Sequence, residues 1–131
     1  MRLRSHLERV RDTIYSRREL VVERLRVEEL STGRLGAIEG RLCFHDGSLL
    51  DFDETIVTRG VVLVKTHYTY HYQHADGSLI FRYDNAPHHP ELAGFPCHKH
   101  TLAGVKPAEA PDLSKVLREI DDLLYPDSKG R

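Results

Sequence analysis

The tetrapeptide Asp-Gly-Ser-Leu occurs twice, at 46–49 and at 76–79, each time between apolar or alternating runs. Arg41-Leu42-Cys43-Phe44 and Leu49-Leu50-Asp51-Phe52 flank the first copy, and Tyr68 to Gln73 and Leu79 to Tyr83 flank the second. Asp-Gly in such a setting is a strong short-range hairpin signal, because both central positions of a two-residue turn want positive φ. Two hairpins commit the middle of the chain to antiparallel sheet. The shared wording reads as one turn chemistry used twice, not as a duplicated domain.

Placing the second turn at Asp76-Gly77 predicts a register in which Ala75 faces Ser78, Tyr72 meets Phe81 and Tyr70 meets Tyr83. His71 then meets Arg82, and Thr69 meets Asp84. Opposed residues share a face, and neighbours along a strand alternate. One face is therefore aromatic, and the other carries imidazole, guanidinium, hydroxyl and carboxylate, with His67 continuing it by parity. The aromatic face is the natural packing surface for helices. The polar face is left to water or to a ligand.

Around the hairpins the pattern changes. Leu3, Leu7, Val10 and Ile14 make one apolar stripe of an amphipathic helix over residues 3 to 17. From Glu19, Val21, Leu25 and Val27 share the parity of a strand that ends at Ser31-Thr32-Gly33. Residues 56 to 64 are rich in β-branched side chains, with Arg59-Gly60 as a turn. Pro87, Pro90, Pro96, Pro107 and Pro111 exclude a regular helix or central strand throughout 85–111, though His98 to Leu102 suits a short edge strand. Asp112 is an N-cap candidate for a last helix carrying Leu113, Val116, Leu117, Ile120 and Leu124. The expectation is one α+β domain, an antiparallel meander of about five strands with N- and C-terminal helices packed on one face. Its segments are a helix over 1–18, sheet over 19–84, a His/Pro-rich loop over 85–111, a helix over 112–125 and a frayed tail over 126–131.

With 40% hydrophobic and 30% charged residues in 131, the composition is that of a soluble globular domain. A net charge of −1 excludes the global basic field of a duplex-DNA binder. It averages over an uneven chain, since residues 1–41 hold ten arginines against seven acids. The arginines of the first helix read as a solvated face, or as a surface for an acidic segment or an RNA backbone. No apolar run approaches the roughly 20 residues that span a bilayer, and the charged start does not suit export. A cytoplasmic location, no membrane partner and two reduced thiols, Cys43 and Cys97, are expected.

Seven of the nine histidines lie between His67 and His100. Histidine is the side chain whose ordinary pKa, about 6.5, exchanges protons near neutrality. A solvated sheet face would explain the hairpin residues alone. The stiff loop that follows brings His88, His89, His98 and His100 within reach of the hairpin if it folds back over the sheet.

The run Tyr-His-Tyr-Gln, Asp-Gly-Ser-Leu, Phe-Arg-Tyr-Asp-Asn-Ala-Pro-His-His-Pro-Glu-Leu and Phe-Pro-Cys-His-Lys-His, between Tyr70 and His100, resembles the TumE family of small toxins. The resemblance covers roughly residues 19 to 124 and is most specific from Arg82 to Pro90 and at His98-Lys99-His100; the helix before Leu20 is less clearly matched. It implies the toxin of a type II toxin–antitoxin pair, neutralised in the cytoplasm by a helix-turn-helix antitoxin encoded beside it. RNA is the natural substrate of such a toxin.

Metal-independent RNA cleavage needs a base for the 2′-hydroxyl proton, an acid for the leaving 5′-oxygen and a cation for the phosphorane. Histidines suit the first two roles and arginine the third. The candidate catalytic set is His71, Arg82, Asp84, His89, His98 and His100. His67, Asn85, His88 and Lys99 are candidate substrate contacts, and an exposed Tyr68, Tyr70 or Tyr72 would stack a base. The set calls for no cofactor, although His98-x-His100 is a ligand spacing on a strand, with Cys97 beside it, and a metal-dependent nuclease is the chemical rival. A module that binds RNA or protein without turnover is the rival from another class. A homodimer is compatible with all of these.

Overall fold

The computed structural model describes residues 2–87 and 89–128. His88 therefore lies outside the described residues, as do 129–131 of the expected tail. The order is α1 (Arg2–Tyr15), β1 (Leu20–Ser31), β2 (Leu35–Phe44), β3 (Leu49–Arg59), β4 (Val62–Gln73), β5 (Leu79–Asp84), β6 (His98–Thr101), β7 (Gly104–Pro107) and α2 (Leu113–Leu124). Pro126–Ser128 add a 3-10 turn. The strands form one antiparallel sheet in the order β1-β2-β3-β4-β5-β6-β7.

The meander and the two terminal helices are as expected, but the strands number seven, not about five. The two extra strands, β6 and β7, sit inside the segment expected to be loop. Each spans four residues, too short to show a period in a proline-rich stretch; β6 is recruited by pairing with β5, and β7 by pairing with β6. The expected edge strand at His98 is present, but β7 lies outside it and takes the edge.

Burial alternates strictly along β2 and through most of β3. Ile38, Leu42, Leu50, Phe52, Ile56, Tyr68, Tyr70, Tyr72, Phe81 and Tyr83 share one face of the sheet. They form a single core with Leu3, Leu7, Val10 and Ile14 of α1 and Leu113, Val116, Leu117 and Ile120 of α2. The aromatic face is thus the covered one, as its parity predicted. None of its three β4 tyrosines is free to stack a base.

The two turns are built alike, with one correction. At each, the aspartate Oδ1 accepts from a serine two residues on: Ser48 N at 2.9 Å and Oγ at 2.5 Å for Asp46, Ser78 N at 2.9 Å and Oγ at 2.6 Å for Asp76. Only the glycines have positive φ, +85° at Gly47 and +90° at Gly77. Gly77 N donates to His74 O and His74 N to Ser78 O. That is a longer turn closed by a glycine bulge, not the two-residue turn expected. A register shift between Tyr72 and Gln73 absorbs the extra residue, so Tyr72↔Phe81, His71↔Arg82, Tyr70↔Tyr83 and Thr69↔Asp84 are opposed as the sequence implied.

A polar network lies beneath the helices. Glu54, 2% exposed, accepts from the Tyr70 hydroxyl and lies 3.5 Å from His6 Nε2 and 3.6 Å from Lys65 Nζ. Arg17, after α1, pairs with Asp121 of α2. Glu119 of α2 accepts from Tyr83 at 2.6 Å and from Lys99 at 2.5 Å.

Candidate functional site

Two rows of side chains cross the uncovered face. Asp51, His71, Arg82 and His100 are opposed in sequence across β3 to β6; one register step away so are Asp53, Thr69, Asp84 and His98. Neighbouring strands lie about 4.8 Å apart, so the side chains within a row are in reach of one another. Arg82 is the link between rows. Its Nε donates to Asp84 Oδ2 at 2.7 Å, and its Nη1 stands 3.3 Å from His71 Nδ1. A guanidinium only donates, so the His71 lone pair is on Nδ1, facing Arg82.

The loop after β5 closes over the lower part of this face. Ala86 N donates to Asp84 Oδ1 at 3.1 Å, and the Pro96 carbonyl lies 2.8 Å from His98 Nδ1. The His89 ring stands edge-on to His98 and His100, with centroids 5.3 and 5.8 Å away, and His98 and His100 are 4.8 Å apart. Asp84 is left 3% exposed and His98 1%, although both belong to the open face. His98 Nε2 is 2.7 Å from Asp84 Oδ1, and His100 Nε2 is 3.7 Å from Asp84 Oδ2.

Burial alone would push the Asp84 carboxyl up. The bonds from Arg82 and Ala86, with the charges of His98 and Arg82, more than offset it and hold the group below the ordinary carboxylate range. His71 is pulled below the usual histidine value, by burial first and by the Arg82 charge second. His100 is also lowered, chiefly by burial and against the pull of Asp84.

Of the expected catalytic residues, His71, Arg82, Asp84, His89, His98 and His100 all converge. Burial makes His98 unfit for direct contact with a polymer substrate. The expected substrate contacts fare differently. His67 is on the same face near the middle of β4, exposed and 2.9 Å from Asp53 Oδ1. Asn85 spends both ends of its amide on the β4 backbone, accepting from Tyr68 N at 3.1 Å and donating to Thr66 O at 3.0 Å. It is a clasp, not a substrate contact. Lys99, opposed to Tyr83, points to the helix-covered face and is held by Glu119, because a strand turns alternate side chains to opposite sides.

Sequence reasoning did not single out the wall beside the cluster. A groove of about 500 Å³ is lined by Arg24, Arg41, Asp51, Gln73, His71 and Arg82 among others. Arg41 grips Asp51 with two bonds of 2.8 and 2.9 Å. The signal was parity: Arg24, Arg41 and Asp51 extend the His71–Arg82 row across β1, β2 and β3.

Among the described residues no helix is long and apolar enough to cross a membrane. Comparison with curated proteins and with solved structures gives no match. The sequence model of the family described as "Toxin TumE" matches residues 7–124. The match takes in the helix before Leu20 from residue 7 onward, as well as the histidine-bearing strands, so the chain belongs to the TumE toxin family.

Proposed function

We propose that this toxin is an endoribonuclease whose working surface is the row His71–Arg82–His100. The observation that supports it is the placement of an imidazole on each side of one guanidinium, on the sheet face that the helices leave open. Arg82 keeps its Nε on Asp84 and offers its remaining N–H groups to a phosphate. When Nη1 turns to that phosphate, the His71 Nδ1 lone pair is released for the 2′-hydroxyl proton. His71 is neutral near pH 7 because its pKa is lowered, which suits a base. The proton returns to the 5′-oxygen from the side of His100 and His89. The adjoining groove of about 500 Å³, with Arg24 and Arg41 on its wall, is the surface that takes the flanking nucleotides.

A toxin family implies an antitoxin partner. We infer the helix-turn-helix type expected from the sequence, acting in the cytoplasm and covering this face. The test is end-labelled RNA incubated with purified protein. Fragments ending in 2′,3′-cyclic phosphate are expected, with cleavage reduced at least about 100-fold in His71→Ala and Arg82→Ala. RNA bound but never cut would replace this reading with that of a binding module.

A further inference from the structure

His98 makes one hydrogen bond and leaves one nitrogen without any. Its Nδ1 faces the Pro96 carbonyl at 2.8 Å, an oxygen that only accepts, so the ring hydrogen is on Nδ1. Its Nε2 is buried and has no hydrogen-bond partner. Asp84 Oδ1 is 2.7 Å away, within ion-pair range, but off the line along which Nε2 would donate. His98 Nε2 thus stands beside a carboxylate oxygen, without a hydrogen bond, in a site almost closed to water. A cation shared by the two atoms satisfies both.

The surrounding donors fit a metal ion. One ligand atom from each of Asp84, His98 and His100 lies within 4.8 Å of the others. The His89 ring stands against both other imidazoles. The outer contacts are those of a ligand set: a ligating histidine commonly gives its second N–H to a backbone carbonyl, as His98 does to Pro96, and a ligating carboxylate is itself held, as Asp84 is by Arg82 and Ala86. Arg82 occupies Oδ2, which leaves Oδ1 on the side of His98. Nitrogen donors with a single carboxylate suit zinc and its first-row neighbours, not calcium or magnesium, which prefer oxygen cages.

We propose that Asp84, His98 and His100 bind a divalent first-row transition ion of the zinc type, with His89 completing the site. The claim stands on these side chains alone. Its bearing on catalysis rests on the RNA reading above, where water held by the ion takes over the part given to His100 in returning the proton. The ion lowers the pKa of water it holds to near neutrality, so that water can give a proton to the leaving oxygen and remain as hydroxide.

The experiment is metal titration of the full chain after stripping with chelator. Zinc content is read by elemental analysis, and cobalt(II) substitution by visible absorption. About one ion per chain is expected, with affinity down on the order of 100-fold in His100→Asn and in His98→Ala. Because His98 is buried, far-UV circular dichroism must show each variant folded, and His100→Asn, at a partly exposed position, carries the test if His98→Ala is not. His67→Ala, outside the cluster, should keep the ion. Wild-type protein that binds no zinc or cobalt, or a folded His100→Asn that binds them as tightly as wild type, overturns the proposal. A bound ion in a protein that leaves RNA intact would uphold it and remove only the RNA reading.

Discussion

Asp84 holds a guanidinium, a backbone N–H and an imidazole at once, while nearly all of it is out of water. Such a group organises what is around it. Arg82, fixed at one end, depresses His71 at the other, and this gives a prediction free of any activity assay. The His71 imidazole should titrate below the ordinary 6.5 by NMR, and Arg82→Gln should move its pKa up, since the positive charge that disfavours the imidazolium is gone. No change would disconnect the two side chains. Gly40 shows close approach in its plainest form. A Cβ there would fall 2.9 Å from the Arg24 carbonyl oxygen and 2.9 Å from the Phe52 ring. Gly40→Ala should cost about 1–3 kcal/mol in chemical unfolding, because the backbone oxygen cannot step aside. At this scale the sequence was most legible where parity alone decides the face, as for His71, Arg82 and Asp84. It misled at Lys99, read as part of a loop cluster when strand geometry turns it to the far side, and at Asn85, whose partners are backbone atoms that no pattern announces.

Strands and turns were legible in proportion to their length. The repeated Asp-Gly-Ser-Leu gave both hairpins, yet the bulged turn and its compensating shift depend on a serine reaching back to an aspartate, a contact that composition does not reveal. β6 was legible only as a short edge strand and β7 was hidden, because four-residue strands have almost no period and their turn, Thr101 to Gly104, lacks an Asp-Gly signal. The last helix was plain from its apolar spacing and its cap. Asp112 accepts from Lys115 N at 2.8 Å, as a capping side chain should. Replacing Asp112 by alanine should lower stability by about 1 kcal/mol, measured by thermal or urea unfolding, with the sheet unaffected.

Across the whole molecule, both helices crowd one side of the sheet and enclose the Glu54 network. Burial would raise the Glu54 pKa, but His6, Lys65 and Tyr70 together bring it below the ordinary 4.5. A lowered carboxylate stabilises the fold above its unfolded pKa, and that contribution is lost as pH falls through the folded value. Urea midpoints should therefore decline below about pH 4.5, and less steeply in Glu54→Gln, which has no charge to lose. Tyr70→Phe, measured at pH 7, should cost about 1–3 kcal/mol by removing a donor from a buried carboxylate.

No strand pairs out of turn, so the sheet grows from one end of the chain to the other. Such a chain can add strands one at a time, beginning with the N-terminal part during synthesis. The strands that lack the paired imidazoles, β1 to β3, are made first, and His98 and His100 arrive only with β6. On the proposed assignment, a ribosome making this toxin carries an inert platform until β6 emerges. On that assignment the unfinished product lacks the imidazoles of β6 that the site needs.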